Sequence, residues 1–407
     1  MNSAYNTDVT PIPITACSVS CASGIGTQQL YDSLISGQTC LQTPRLISTG
    51  FTAYTGEIAD ELLPTLDLEL QTYSTRNTQI ALATLNHPQD ALRSAIHNAV
   101  ARYGADRIGV VIGTSTSGIY ETENCYFDIE KNQQIPDYFN FSTQHVWSAT
   151  ANFLKLELEL TGPCYAISTA CSSSSKTLAS AQRLIATGVC DAVLTGGVDS
   201  LCRLTLNGFK SLDIMSEKPC TPLDENRCGI SIGEGAGLLL LEKPHKEHTA
   251  CVHLLGCGES SDAYHMTAPH PEGRGAISAM QSALRQAGIE AEQIDYVNLH
   301  ATGTVLNDQS EMRAIQSVFG SNINCSGTKG LIGHTLGAAG GIESIISWLC
   351  LKHHFIPGTC GLNKADESFS GHIIKNSKTG IPVKTVMNNN FGFGGNNTSL
   401  ILGWHHE

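Results

Sequence analysis

An α/β protein made of two similar halves is what this sequence predicts, and three observations carry that expectation. Short β-rich apolar runs alternate with stretches whose apolar residues recur at helical spacing. The alternation is gone through twice, on either side of a polar connector, Lys243-Pro-His-Lys-Glu-His248. Each half also ends alike, on a glycine corner followed by an apolar strand: Gly229-Ile-Ser-Ile-Gly-Glu-Gly-Ala-Gly237 before Leu238 to Leu241, and Phe391-Gly-Phe-Gly-Gly395 before Thr398 to Leu402. The halves are expected at residues 1–248 and 249–407.

In chain order, Pro11 to Cys21 reads as the first strand and Thr27 to Ile35 as a helix entered through Gly24-Ile-Gly26. Gly50 to Leu68 lacks periodicity. Thr78 to Val100 carries apolar residues at helical spacing, and Arg107 to Gly113 is a strand leading into the small-residue loop Thr114 to Gly118. Such a loop at a strand end either lines a substrate pocket or is a plain turn. A strand at Cys164 to Ile167 runs into a helix with Leu178, Ala181, Leu184 and Ile185 on one face. Asp191 to Thr195 is the next strand, ending in Gly196-Gly197, and Lys218 to Cys228 is a loop by composition. Ala236 to Glu242 closes the first half. In the second, Ala276 to Gly288, Asp308 to Phe319 and Gly337 to Lys352 read as helices, and Ile294 to Leu299 as a strand.

Composition narrows the function. With 407 residues, 41% hydrophobic and 15% charged, the chain can bury a large core. Its formal net charge of −13 argues against nonspecific nucleic-acid binding. Apolar runs such as Gly237 to Leu241 fall far short of the roughly 20 residues a membrane-spanning helix needs. Fifteen scattered cysteines, with no signal-like character in Met1 to Asp8, read as reduced thiols of a cytoplasmic protein. No pair has Cys-x-x-Cys spacing and no His-Glu-x-x-His occurs, so no metal centre is expected.

Cys171 stands out, in Ser168-Thr-Ala-Cys-Ser-Ser-Ser-Ser175, where the strand at Cys164 gives way to a helix. The free NH groups and dipole of a helix start favour a thiolate there. The other reading is a small buried hydrophobe, and local sequence leaves both open. Two later strand ends each present a histidine: Asn298-Leu-His-Ala-Thr-Gly-Thr304, and Gly327-Thr-Lys-Gly-Leu-Ile-Gly-His334, which also carries Lys329. One such histidine is ordinarily structural. Two beside glycine turns, with a lysine and a candidate thiolate, point to a nucleophilic site.

Together these motifs resemble the elongating β-ketoacyl-[acyl-carrier-protein] synthases, over nearly the whole chain and in the family's order. Thr169-Ala-Cys-Ser-Ser173 is similar to the nucleophile motif, His300-Ala-Thr-Gly-Thr304 to the first histidine motif, Thr328-Lys329 with Gly333-His334 to the lysine and second histidine motif, and Phe391 to Gly395 to the gating turn. The resemblance implies a thiolase-like fold, two duplicated α/β halves packed as five layers, αβαβα. It implies an acyltransferase: Cys171 takes an acyl group from a carrier-bound thioester, and malonyl-carrier loses carbon dioxide to give an enolate that attacks the acyl-enzyme. His300 and His334 would hold the enolate oxygen, and the NH groups of Cys171 and Phe393 would form the oxyanion hole. Phe393 would also gate the acyl pocket. Lys329 matches a lysine that holds the site's hydrogen bonds, and Glu343 matches its acidic neighbour or is an ordinary helix charge. Thr302 and Thr304 match residues that bond the phosphopantetheine arm, which arrives with the substrate. No bound cofactor is implied.

The chain departs from the family's pattern at Ala301, where glycine is usual, at Val305-Leu-Asn-Asp308, in place of Pro-x-Gly-Asp, and at Gly327, where serine is common. None removes a reacting group. Rival readings are a non-catalytic chain-length-factor-like subunit, which would lack the nucleophile; a thiolase or a starter-type synthase, which the His334 and Lys329 pattern disfavours; and a papain-like protease, which the αβ duplication and the two strand-end histidines do not fit. Gly258 to Met266 and Gly197 to Gly208 are most similar to synthases of aryl polyene clusters, with saturated fatty acid elongation the alternative. The partners implied are an acyl carrier protein and a homologous subunit, in a homodimer or a heterodimer with a chain-length factor. Because carriers are acidic, Arg203 and Lys210 are the candidate docking cations.

Overall fold

The computed structural model describes residues 10–248 and 250–405. Met1 to Asp8 and residue 249, at the expected boundary between halves, lie outside the described residues, as do 406 and 407.

The first half contributes strands β1 (Ile12–Cys21), β2 (Ile108–Gly113), β3 (Cys164–Ile167), β4 (Ala192–Asp199) and β5 (Gly235–Glu242). The second contributes β6 (Val252–Ser261), β7 (Tyr296–Asn298), β8 (Asn324–Ser326), β9 (His372–Ile373), β10 (Thr385–Gly392) and β11 (Asn396–Trp404). Their lateral order is β9-β8-β7-β10-β11-β6-β1-β5-β4-β2-β3. The order 1-5-4-2-3 in one half answers 6-11-10-7-8 in the other, with the same sequence of two antiparallel and two parallel pairings. The halves join edge to edge, Ile12 to Ile14 of β1 running antiparallel to Val252 to Leu254 of β6.

Helices α1 (Ser173–Ala186) and α2 (Ala339–His353) lie between the two half-sheets and are largely buried. Their apolar side chains, with Val193, Leu239, Leu241, Val386 and Leu400, form the middle core. A second core lies under Arg76–Leu85, Leu92–Tyr103 and Ala149–Glu157, and a third under Arg274–Ala287 and Val305–Phe319. Three cores between two sheet halves and three helical layers make the five-layered thiolase-like arrangement. Covering on both faces explains why β5 reads as an unbroken run, Leu238 to Leu241, rather than an alternation. No helix among the described residues is long and apolar enough to cross a membrane.

Two expectations need correction, and one strand has no counterpart among them. The helical pattern over 78–100 is two helices, 76–85 and 92–103, because Pro88 lacks an NH for a continuous ladder and Ala91 turns left-handed at φ 53°. Gly196-Gly197 lies inside β4 rather than ending it. A Cβ on Gly237, paired with Gly197, would come within 2.4 Å of the Gly341 backbone, so these glycines admit α2 against the sheet. Strand β10, with Asn388-Asn389-Asn390 at its centre, is not apparent from apolar patterning.

Candidate active site

Cys171 sits between β3 and α1, one residue before the helix-capping position of Ser172. Ala170 turns left-handed, φ 52°, and the Ser173 hydroxyl fixes the corner by donating to Ala170 O and accepting from Thr169 N–H. The side chain is only 7% exposed. Burial therefore outweighs the helix start: it pushes the thiol up to about 11, against the lowering influence of the Lys329 ammonium and of the backbone NH groups of Phe393 and Cys171. The resting group at neutral pH is a thiol, which corrects the expectation of a standing thiolate.

The two histidine strand ends converge on it. The Cys171 Sγ and one nitrogen each of His300 and His334 lie within 4.8 Å of one another, although the residues come from both halves of the chain. The imidazoles meet edge to face, centroids 5.2 Å apart, and His300 packs against Phe391 at 6.1 Å. Burial, then the Lys329 charge, hold both histidines well below the ordinary imidazole range, so both are neutral. Leu336 N–H donates to His334 Nδ1 at 3.2 Å. That contact assigns the proton to Nε2, which is buried and has no hydrogen-bond partner. His334 thus offers a free N–H donor beside the sulfur.

The backbone at His300 is held by Glu311, whose carboxylate accepts from His300 N–H at 2.8 Å and Ala301 N–H at 2.7 Å. Ala301 stands at φ 26°, so this clamp offsets a strained conformation. Beneath the histidines, Lys329 donates to Glu343 in an ion pair buried on both sides. Glu343 is therefore no ordinary surface charge. Asn390 Nδ2 donates to its other oxygen at 2.5 Å, and Asn390 Oδ1 accepts from Ser175 of α1.

A cavity of about 270 Å³ is lined by Cys171, His300 and His334, and also by Thr302, Thr304, Phe209, Val305, Leu306 and Phe393. The threonine hydroxyls bond one another at 2.9 Å. Phe393 faces Phe209 with centroids 5.6 Å apart, and Gly394, left-handed at φ 78°, donates its N–H to Met266 O at 2.7 Å. Val305 opens a regular helix, so the missing Pro-x-Gly leaves the backbone intact and puts two exposed apolar side chains at the mouth. Arg203 and Lys210 lie on Arg203–Ser211, the helix that carries Phe209. Each already has acidic company: Arg203 is 3.6 Å from Glu123, and Lys210 is 3.7 Å from Glu217.

Glu311, Asn390 and Asp199 support the site and were not singled out from sequence. Glu311 carried a signal, a carboxylate eleven residues past His300 on the following helix. Asn390 and Asp199 carried none, because their partners come from distant segments.

Comparison with known proteins agrees with this geometry. The model for "Beta-ketoacyl synthase, N-terminal domain" matches residues 9–247 and that for "Beta-ketoacyl synthase, C-terminal domain" residues 251–363. The 3-oxoacyl-[acyl-carrier-protein] synthase 2 of Coxiella burnetii is 30% identical, covering 96% of this chain and 98% of that protein, and that of Rhizobium meliloti is 34% identical over 72% and 73%. Among solved structures, the ketosynthase ApeO, in complex with its chain length factor ApeC from Xenorhabdus doucetiae, is similar at 40% identity and TM-score 0.88, covering 99% of this chain and 100% of that one. The ishigamide ketosynthase/chain length factor is similar at 26% identity and TM-score 0.88, over 97% and 99%.

Proposed function

Since the chain belongs to the β-ketoacyl synthase family and is an acyltransferase of the 3-oxoacyl-[acyl-carrier-protein] synthase type, we propose that it extends aryl-primed polyenoyl chains, with Cys171 as nucleophile. The observation that carries the mechanism is the buried cluster of Cys171, His300 and His334 at the inner end of one cavity.

The Cys171 thiol gives up its proton as the sulfur attacks the thioester carbon of the acyl-carrier. The oxyanion meets the NH groups of Cys171 and Phe393, both directed at this corner. Collapse expels the phosphopantetheine thiol, which takes up the proton, and leaves the acyl group on sulfur. Malonyl-carrier then enters, its arm bonded to Thr302 and Thr304. Its C–C bond to the carboxylate breaks, carbon dioxide leaves, and the electron pair forms an enolate whose oxygen accepts from His334 Nε2–H and from His300. These donors are strongest where charge develops, so they favour the transition state over the ground state. The enolate carbon attacks the acyl carbonyl, sulfur departs as a thiolate that takes a proton from solvent to restore the resting thiol, and the β-ketoacyl product is two carbons longer. Lys329, held by Glu343, keeps a positive charge beside both histidines and holds them neutral. The reaction requires no resident cofactor.

The aryl polyene assignment starts from the resemblance of Gly258 to Met266 and Gly197 to Gly208, and the 40% identity to ApeO supports it, against 30% to the 3-oxoacyl-[acyl-carrier-protein] synthase 2 of Coxiella burnetii at similar coverage. ApeO stands in complex with a chain length factor, and a partner of that kind fits this chain. Among the described residues, no strand pairs with the outer edge of β3, which is half-buried throughout, and the segment before it exposes Tyr126, Phe127, Tyr138, Phe141 and Trp147. Carrier docking is assigned to the helix of Arg203 and Lys210. If reversing both charges leaves carrier-dependent turnover unchanged, that assignment falls.

The test is intact mass of the protein and of Cys171→Ala after incubation with saturated and polyenoyl carriers, alone and with a Cys-lacking homologous subunit. An adduct on the parent only, preferring polyenoyl donors and the paired protein, is expected. Preference for saturated donors by a homodimer would make it a fatty acid elongation enzyme, and no adduct at all would remove the covalent mechanism.

A further inference from the structure

Asp199 ends β4 with its side chain fully enclosed, and its carboxylate collects an unusual set of donors. Oδ1 accepts from Thr114 Oγ1 at 2.6 Å, from the N–H groups of Ser115 and Thr116 at 2.9 Å each, and from Thr116 Oγ1 at 2.8 Å. Oδ2 accepts from Ser115 Oγ at 2.6 Å and from Gly337 N–H. A buried carboxylate this fully satisfied is a rigid anchor. The small-residue loop Thr114 to Gly118 thus serves Asp199 rather than lining the cavity, and Gly337 is the one donor from the second half of the chain.

Gly337 follows the residue that sets the His334 ring. Leu336 gives its N–H to His334 Nδ1 while standing at φ 52°, a conformation a leucine avoids unless held. The neighbouring Gly337 N–H is held twice, by Asp199 Oδ2 and by Ser115 Oγ at 3.1 Å. A side chain at 337 would not fit: its Cβ would lie 2.8 Å from Asp199 Oδ2 and from Ser115 N.

We infer that Asp199 is a positioning residue for decarboxylation: by clamping Gly337 it keeps Leu336 N–H on His334 Nδ1 and so keeps the Nε2–H donor aimed at the enolate oxygen. This rests on the reading of His334 given above. Cys171 sits on a corner fixed by Ser173, and Asp199 reaches it only as a negative charge that raises the thiol, so losing the clamp impairs decarboxylation far more than acylation.

The experiment compares Asp199→Asn with the parent in three readouts: acylation of Cys171 by intact mass, carbon dioxide release from malonyl-carrier, and the ¹⁵N signals of the histidine rings in labelled protein. In the parent, His334 gives an unprotonated Nδ1 and a protonated Nε2. In the variant we expect acylation within about threefold of the parent, carbon dioxide release lower by about 10- to 100-fold, and a His334 signal averaged between tautomers. Unchanged decarboxylation, or equal loss in both steps with the tautomer signal intact, overturns the inference. If Asp199→Asn does not fold, Ser115→Ala decides: a selective loss of decarboxylation supports the clamp, and none refutes it. A parent that fails to acylate would refute the nucleophile instead, while the ring signals still judge the clamp.

Discussion

The methyl group of Ala301 occupies the space that a side chain at Gly327 would need: a Cβ on Gly327 would lie 2.6 Å from it. Positions 301 and 327, where the resemblance implies glycine and serine, are therefore sterically coupled. Alanine at 301 adds a methyl, and glycine at 327 removes the group it would strike.

Gly327→Ser should accordingly destabilise the protein by about 1–3 kcal/mol through overpacking. Ala301→Gly should relieve the contact and the φ of 26°, and in the double variant the serine should cost less than it does alone. Chemical denaturation of the four proteins measures that coupling. Additive effects would mean that the two positions are independent.

Reactivity of the nucleophile gives a second prediction. With its thiol pushed up to about 11 by burial, Cys171 should alkylate with iodoacetamide slowly at pH 7, and the rate should rise about tenfold per pH unit through pH 10. Lys329→Met should move that profile to still higher pH, because the ammonium favours the thiolate. Peptide mass spectrometry isolates Cys171 from the other cysteines. Half-maximal alkylation below pH 8 would restore the helix-start account.

Lys329 and Glu343 yield a third. Removing one partner of a buried pair strands the other charge, so Lys329→Met should cost about 3–5 kcal/mol. Asn390 alone then remains on Glu343. Lys329→Met combined with Glu343→Leu should recover much of that stability and none of the condensation rate. Thermal unfolding and carrier-based turnover separate the two effects. Recovery of turnover in the double variant would show the pair to be structural only.

Much of this was legible in the sequence, and what was not shares a physical cause. Strands covered on both faces, such as β5, announce themselves as apolar runs, and the reacting groups sit where runs stop: Cys171 after β3, His300 after β7. Motif order then pointed to Lys329 and left Glu343 either its acidic neighbour or an ordinary helix charge. Strand β10 escaped because it is polar on both faces, Asn388 and Asn390 bonding to the helix of Glu343 and Asn389 to Met280 and Ser399, so no apolar period marks it. Asp199 escaped because its partners at 114–116 and 337 meet only after folding. The thiolate expectation failed for a related reason: burial of Cys171 is a tertiary property that the helix start does not reveal.

Acid stability tests the neutral histidines. Burial, and then Lys329, hold His300 and His334 well below their ordinary range. In the unfolded chain both take up protons near pH 6.5, whereas in the folded protein they remain neutral well below that. Below pH 6.5 the unfolded state therefore binds more protons. The stability contributed by these rings is fully present above pH 6.5 and is lost as pH falls, by up to about 1.4 kcal/mol per pH unit for each. Asp199, Asp308 and Glu311 act in the opposite sense, because burial raises their carboxyls, Glu311 to about 7. A bare pH curve mixes the two contributions, so the comparison is between the parent and His300→Asn/His334→Gln, which keeps those carboxyls. Urea unfolding at pH 7 and pH 5.5 should show the parent losing more stability than the variant. Equal losses would mean that the rings are protonated in the folded state, and the enolate would then be held by imidazolium rather than by neutral N–H donors.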